Sequence, residues 1–140
     1  MSWDISLFNA PPETTIEEIP RDYEPLPIGS VAEVLSRLQA AFADLDLSDP
    51  TWGDLERSGW SIEFNIGSED PVRSIMLHVR GGGDDVVQVV RETAHVLGCS
   101  ALDCSSGEFI EEGGRDGWAD FQAFRDGVIG QGAAAQNVER

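Results

Sequence analysis

Three observations predict an α+β fold. Short runs alternate apolar and polar residues, as in Trp3, Ile5 and Leu7 against Asp4, Ser6 and Phe8, the pattern of a strand with one buried face. Two longer segments instead repeat apolar residues every three or four positions, the pattern of a helix buried along one stripe. The two kinds of segment interleave along 140 residues that are 41% hydrophobic and 25% charged. That length and composition suit one globular domain and argue against wholesale disorder.

The first strand is expected over Ser2 to Phe8. Residues 9–29 carry Pro11, Pro12, Pro20, Pro25 and Pro27 among Glu13, Glu17, Glu18, Asp22 and Glu24. Proline blocks helix and central strand alike, so this reads as a long acidic loop, and loops of that length are often functional. Ser30-Val31-Ala32-Glu33 fits a capping box. The stripe Val31, Val34, Leu35, Leu38, Ala41, Phe42 and Leu45 then predicts a helix that ends before Asp49-Pro50. In Ser61 to Gly67, Ile62, Phe64 and Ile66 alternate with Glu63 and Asn65; in Ser74 to Arg80, Ile75, Leu77 and Val79 alternate with Met76, His78 and Arg80. Turn residues lie between the two runs, which predicts an antiparallel hairpin.

Gly81-Gly82-Gly83 leads to a second helix capped by Asp84 or Asp85. Its stripe is Val86, Val89, Val90, Thr93 and Leu97, and Gly98 is placed to stop it. A fourth strand is expected over Ser100 to Ser105, with a further extended piece at Glu108 to Glu111. A C-terminal helix over Trp118 to Val128 carries Phe121 and Phe124. Residues 131–140 read as a flexible tail, and residues 1–130 as a single domain. The order strand, helix, strand, strand, helix, strand predicts a ferredoxin-like βαββαβ antiparallel sheet with both helices on one face, plus the C-terminal helix. A mixed α+β sheet of different order is the alternative.

Charge bounds the function. Nine arginines and no lysine stand against 26 acidic residues, a net charge of −17. This excludes a protein that works by neutralising nucleic-acid phosphates and argues against docking on anionic lipid. No apolar run reaches the roughly 20 residues of a membrane span. Asp4 stands where an export signal would carry Lys or Arg, so a cytoplasmic protein is expected. Cys99 and Cys104 then read as reduced thiols, not as a zinc pair or a disulfide scaffold.

If the apolar strand faces meet the helices, strand parity sends the other residues to an open sheet face. That face would carry Asp4, Ser6, Glu63, Asn65, Met76, His78, Arg80 and, from the fourth strand, Asp103. A solvated polar face explains this set, and so does a binding face on which His78 titrates and Arg80 clamps an anion. Trp52 and Trp60 read as lids on the core or as anchors for a partner. Asp44 to Asp49 imitates the start of a calcium loop, but Asp49 occupies the position of the required Gly and Leu55 that of the bidentate Glu. Neither a metal site nor a cofactor is expected.

The strings Ser48-Asp49-Pro50-Thr51-Trp52-Gly53, Ser61 to Gly67, Leu77 to Gly82 and Leu102-Asp103-Cys104-Ser105-Ser106-Gly107 together resemble a family of small, acidic, uncharacterised bacterial proteins over residues 2 to 112. The resemblance implies no activity and assigns no residue a role. In size and acidity the chain is also similar to immunity proteins of bacterial toxin systems. The function expected is a non-enzymatic, acidic protein-interaction module, immunity- or antitoxin-like, that binds a basic protein surface. Its contacts are expected at Glu17, Glu18, Asp22, Glu24, Asp46, Asp49, Trp52 and Asp54. The alternative is a small-molecule binder or weak enzyme using the open face around His78 and Arg80. The chain is expected to be a monomer or a homodimer.

Overall fold

The computed structural model describes residues 2–10, 16–83 and 85–110. Its elements are β1 (Trp3–Phe8), a 3-10 turn (Ile16–Glu18), α1 (Val31–Ala41), β2 (Asp46–Asp49), β3 (Trp52–Arg57), β4 (Trp60–Asn65), β5 (Ser74–Gly81), α2 (Asp85–Leu97), β6 (Ser100–Asp103) and β7 (Glu108–Phe109). All seven strands join one antiparallel sheet in the order β2-β3-β4-β5-β1-β6-β7.

This corrects the expected fold class. Over the described residues the molecule is a sheet-rich, seven-stranded antiparallel structure with two helices, not a ferredoxin-like βαββαβ domain. The difference lies chiefly in β2 and β3, in the stretch read as the end of a helix and the residues after it, to which no strand was assigned. β2 has only four residues, three of them exposed, so it shows no apolar alternation. β3 does alternate, but one of its inward positions is Gly53 and only Leu55 supplies a large apolar side chain. The predicted C-terminal helix and tail lie outside the described residues.

Helix α1 begins as its sequence dictates, with Ser30 Oγ accepting from the Glu33 N–H at 3.1 Å. It stops at Ala41, four residues short of the predicted stripe. Gln39 Nε2 donates to the carbonyls of Phe42, Ala43 and Leu45, so the chain turns while its polar groups stay satisfied. Phe42 and Leu45 remain buried beyond the helix end. In α2 every residue of the predicted stripe is buried, and Gly98 takes φ +64 just past the end.

The core lies on one side of the sheet. Trp3, Ile5 and Leu7 of β1, Ile62 and Phe64 of β4, and Ile75, Leu77 and Val79 of β5 form one cluster with Val34 and Leu38 of α1 and Val86, Val90 and Leu97 of α2. Trp60 is also buried, and its Nε1–H donates to Asp85 Oδ2 at 3.0 Å, fastening β4 to the start of α2. Residues 23–29 of the proline-rich segment are stitched down. Tyr23 Oη donates to the Asn9 carbonyl, Asn9 Nδ2 donates to the carbonyls of Leu26 and Pro27, and Ile28 and Gly29 exchange main-chain bonds with Val72.

Candidate functional site

Strand parity turns the polar residues of the strands to the face opposite the helices, together with Trp52, Met76, Leu102 and Phe109, and the register shows which residues become neighbours there. Asp46, Asp54, Glu63, His78 and Asp4 line up in one row across β2, β3, β4, β5 and β1. The next row is Trp52, Asn65, Met76, Ser6, Leu102 and Phe109. A third holds Glu56, Ser61 and Arg80. The first row is the most charged: four carboxylates flank one imidazole.

Directional contacts order this face. His78 Nδ1 lies 2.8 Å from Asp4 Oδ1, which also accepts from Ser2 Oγ at 2.6 Å. From β3, Trp52 reaches diagonally over β4 and stacks on His78, with ring centroids 5.9 Å apart and planes 19° apart. Arg80 pairs diagonally with Glu63. Trp52 and His78 are half-buried, whereas Asp54 and Glu56 are exposed and pair with no cation among the described residues.

The predicted open-face residues Asp4, Ser6, Glu63, Asn65, His78 and Arg80 therefore do gather on one face. Asp103 does not. It sits opposite Ile5, on the helix side, and is 1% exposed. Its Oδ1 accepts from the Ser105 N–H and Oγ and from the Ser106 N–H, holding the turn between β6 and β7, while Oδ2 has no hydrogen-bond partner among the described residues. The reason is the phase of β6, which pairs Ala101 with Leu7 and so turns odd-numbered residues inward.

The predicted partner contacts divide. Asp46, Trp52 and Asp54 merge with the open face, a union the sequence reading missed because β3 was not recognised. Its signal was the alternation of Trp52, Asp54 and Glu56 with Gly53 and Leu55. Asp49 sits at the far end of β2, opposite Trp52. Glu17, Glu18, Asp22 and Glu24 lie exposed on the loop anchored beside the Phe8 end of β1, away from the Asp4 row.

Hydrogen bonds hold three acids of this region well inside their ionised range. Asp44 is lowered mainly by Arg57, Asp46 by Ser48 and Asp49 by Thr51. The cysteines behave oppositely. Burial pushes the Cys99 thiol up to about 12, and burial followed by the charges of Asp4 and Asp103 raises Cys104. Neither offers a thiolate nucleophile near neutral pH. Among the described residues, no group of three or more His, Cys, Asp and Glu is arranged to hold a metal ion, and no helix is long and apolar enough to cross a membrane.

No protein-family model, curated protein or solved structure matches the chain. The roles of these residues therefore rest on their chemistry and placement alone.

Proposed function

We propose that this chain is an acidic, non-enzymatic interaction module that docks a basic protein surface on the open face of its sheet, masking it as an immunity- or antitoxin-like inhibitor would. One observation carries the reading. Among the described residues, the face presents the carboxylates of Asp46, Asp54, Glu56, Glu63 and Asp4 against a single guanidinium, Arg80, which Glu63 already occupies. A chain of net charge −17 attracts a cationic partner from a distance and speeds encounter. A face braced by the Trp52–His78 stack and the His78–Asp4 contact loses little freedom when the partner arrives.

The face, not the edge, is the favoured surface. The β2 edge is blunted: Asp46 Oδ1 accepts the Ser48 N–H at 2.9 Å, and the register shifts between Asp46 and Asp49. Both features discourage the addition of a strand. The pairing of Arg80 with Glu63 also counts against an anion clamp, and so against the small-molecule alternative around His78 and Arg80.

Titration calorimetry with a short basic peptide, and with its acidic counterpart as control, tests the reading. The basic peptide is expected to bind at low ionic strength and to weaken sharply at about 0.15 M salt. The variant D46N/D54N/E56Q should lose most of that binding, while the loop variant E17Q/E18Q/D22N/E24Q keeps it. No binding at low salt, or loss confined to the loop variant, would overturn the proposal.

A further inference from the structure

The structure assigns Trp52, together with Asp54 and Asp46, as a seat for an arginine side chain of the docked partner. This rests on the proposed acidic docking face and names the group that the face reads.

A guanidinium is recognised by two features together: an aromatic face on which its plane can lie, and a carboxylate that accepts its parallel N–H bonds. The molecule already contains one such arrangement, filled from within. Arg57 lies over the rings of Phe42 and Trp60, with centroids at 5.9 and 5.7 Å, and forks onto both oxygens of Asp44 at 3.0 and 3.1 Å. On the open face the same components recur, and among the described residues no arginine is paired with them. Trp52 and Asp54 are two residues apart on the same side of β3, and Asp46 faces Asp54 from β2. The indole is half-buried and oriented by its stack on His78, so part of it still meets solvent. The Asp54 carboxylate pairs with no cation among the described residues. The arginines of β3 and β5 are engaged elsewhere. Arg80 is held by Glu63, and Arg57 is held by Asp44 near Phe42 and Trp60.

A lysine ammonium would gain the charge attraction but not the flat stacking or the fork, so the seat should prefer arginine. A ring-face contact at an exposed site corresponds to about a 2- to 5-fold change in affinity.

The test uses the full chain and two peptides of equal length and charge, one alternating arginine with glycine and the other lysine with glycine. Calorimetry gives affinities, and the Trp52 indole N–H resonance reports where the peptide sits. The arginine peptide is expected to bind about 2- to 5-fold more tightly and to shift the Trp52 signal. Trp52→Leu should abolish the preference, weakening the arginine peptide more than the lysine peptide, and Trp52→Phe should retain part of it. Asp54→Asn should weaken both peptides. Equal affinities for the two peptides, or an arginine preference that survives Trp52→Leu, would overturn the seat. If D46N/D54N/E56Q nevertheless lost binding, the acidic docking face would stand. Failure of both peptides to bind at low salt would remove the face and the seat together.

Discussion

Gly81 closes β5 directly opposite Trp60, at φ +98, and its replacement by alanine tests the strand register on which the open face depends. A Cβ built there would stand 2.3 Å from the Gly59 carbonyl oxygen and 2.7 Å from the Trp60 Cα. Both are main-chain atoms, so no side chain can swing aside. Holding alanine at this φ costs about 1–3 kcal/mol. Relieving the overlap parts the end of β5 from β4 and sacrifices the 2.8 Å bond from the Gly82 N–H to the Gly59 carbonyl, about 1 kcal/mol more. A loss of about 3 kcal/mol follows, which lowers a urea midpoint by roughly 1–3 M for a protein of this size. Gly67→Ala is the matched control. Gly67 has φ +79, but its Cβ would meet nothing within 4 Å, so only the backbone cost of about 1–2 kcal/mol applies. Urea unfolding followed by circular dichroism measures both. If the two variants unfold at the same midpoint, Gly81 does not face Trp60, and the rows that place His78 and Arg80 lose their basis.

Phe64→Ala removes a side chain with no exposed surface and should cost about 3–5 kcal/mol, whereas Asn65→Ala, one residue later on the open face, should change unfolding free energy by less than about 0.5 kcal/mol. Burial raises the Cys99 thiol from 9.0 to about 12; the fold thus favours the neutral form. Its contribution is complete below pH 9.0 and is lost as the pH rises toward about 12, because the unfolded chain ionises first; urea midpoints of the wild type and Cys99→Ala should differ in slope over that interval. Arg57 lowers the Asp44 carboxyl, which stabilises the fold above the ordinary carboxylate range and is lost as acid protonates Asp44 in the folded state. Asp44→Asn should therefore flatten the acid limb of an unfolding curve.

Elements with strong periodicity were legible from the sequence. Trp3, Ile5 and Leu7 are all buried, as are Ile62, Phe64, Ile75, Leu77 and Val79, so parity alone placed Asp4, Glu63 and His78 on the open face. Parity failed where a strand was too short to fix its own phase. Ser100–Asp103 has one alternation to show, and the direction of Asp103 was set by pairing with β1, a tertiary choice with no local signal. The β2–β3 hairpin was missed for a related reason. Asp and Glu beside Trp52 on its open side, and Gly53 on its buried side, leave Leu47 and Leu55 as its inward apolar markers, so the fold class was drawn with too few strands. The stack of Trp52 on His78 was out of reach too, since it joins residues two strands apart through an element that had not been recognised.

The most direct measurement is the map of backbone and indole amide shifts when an arginine-containing peptide is added at low salt. The account predicts that the largest shifts run across β3, β4, β5 and β1, through Asp54, Glu63, His78 and Asp4, and include the Trp52 indole N–H. Shifts concentrated on the exposed sides of α1 and α2, or on the loop around Asp22 and Glu24, would contradict it.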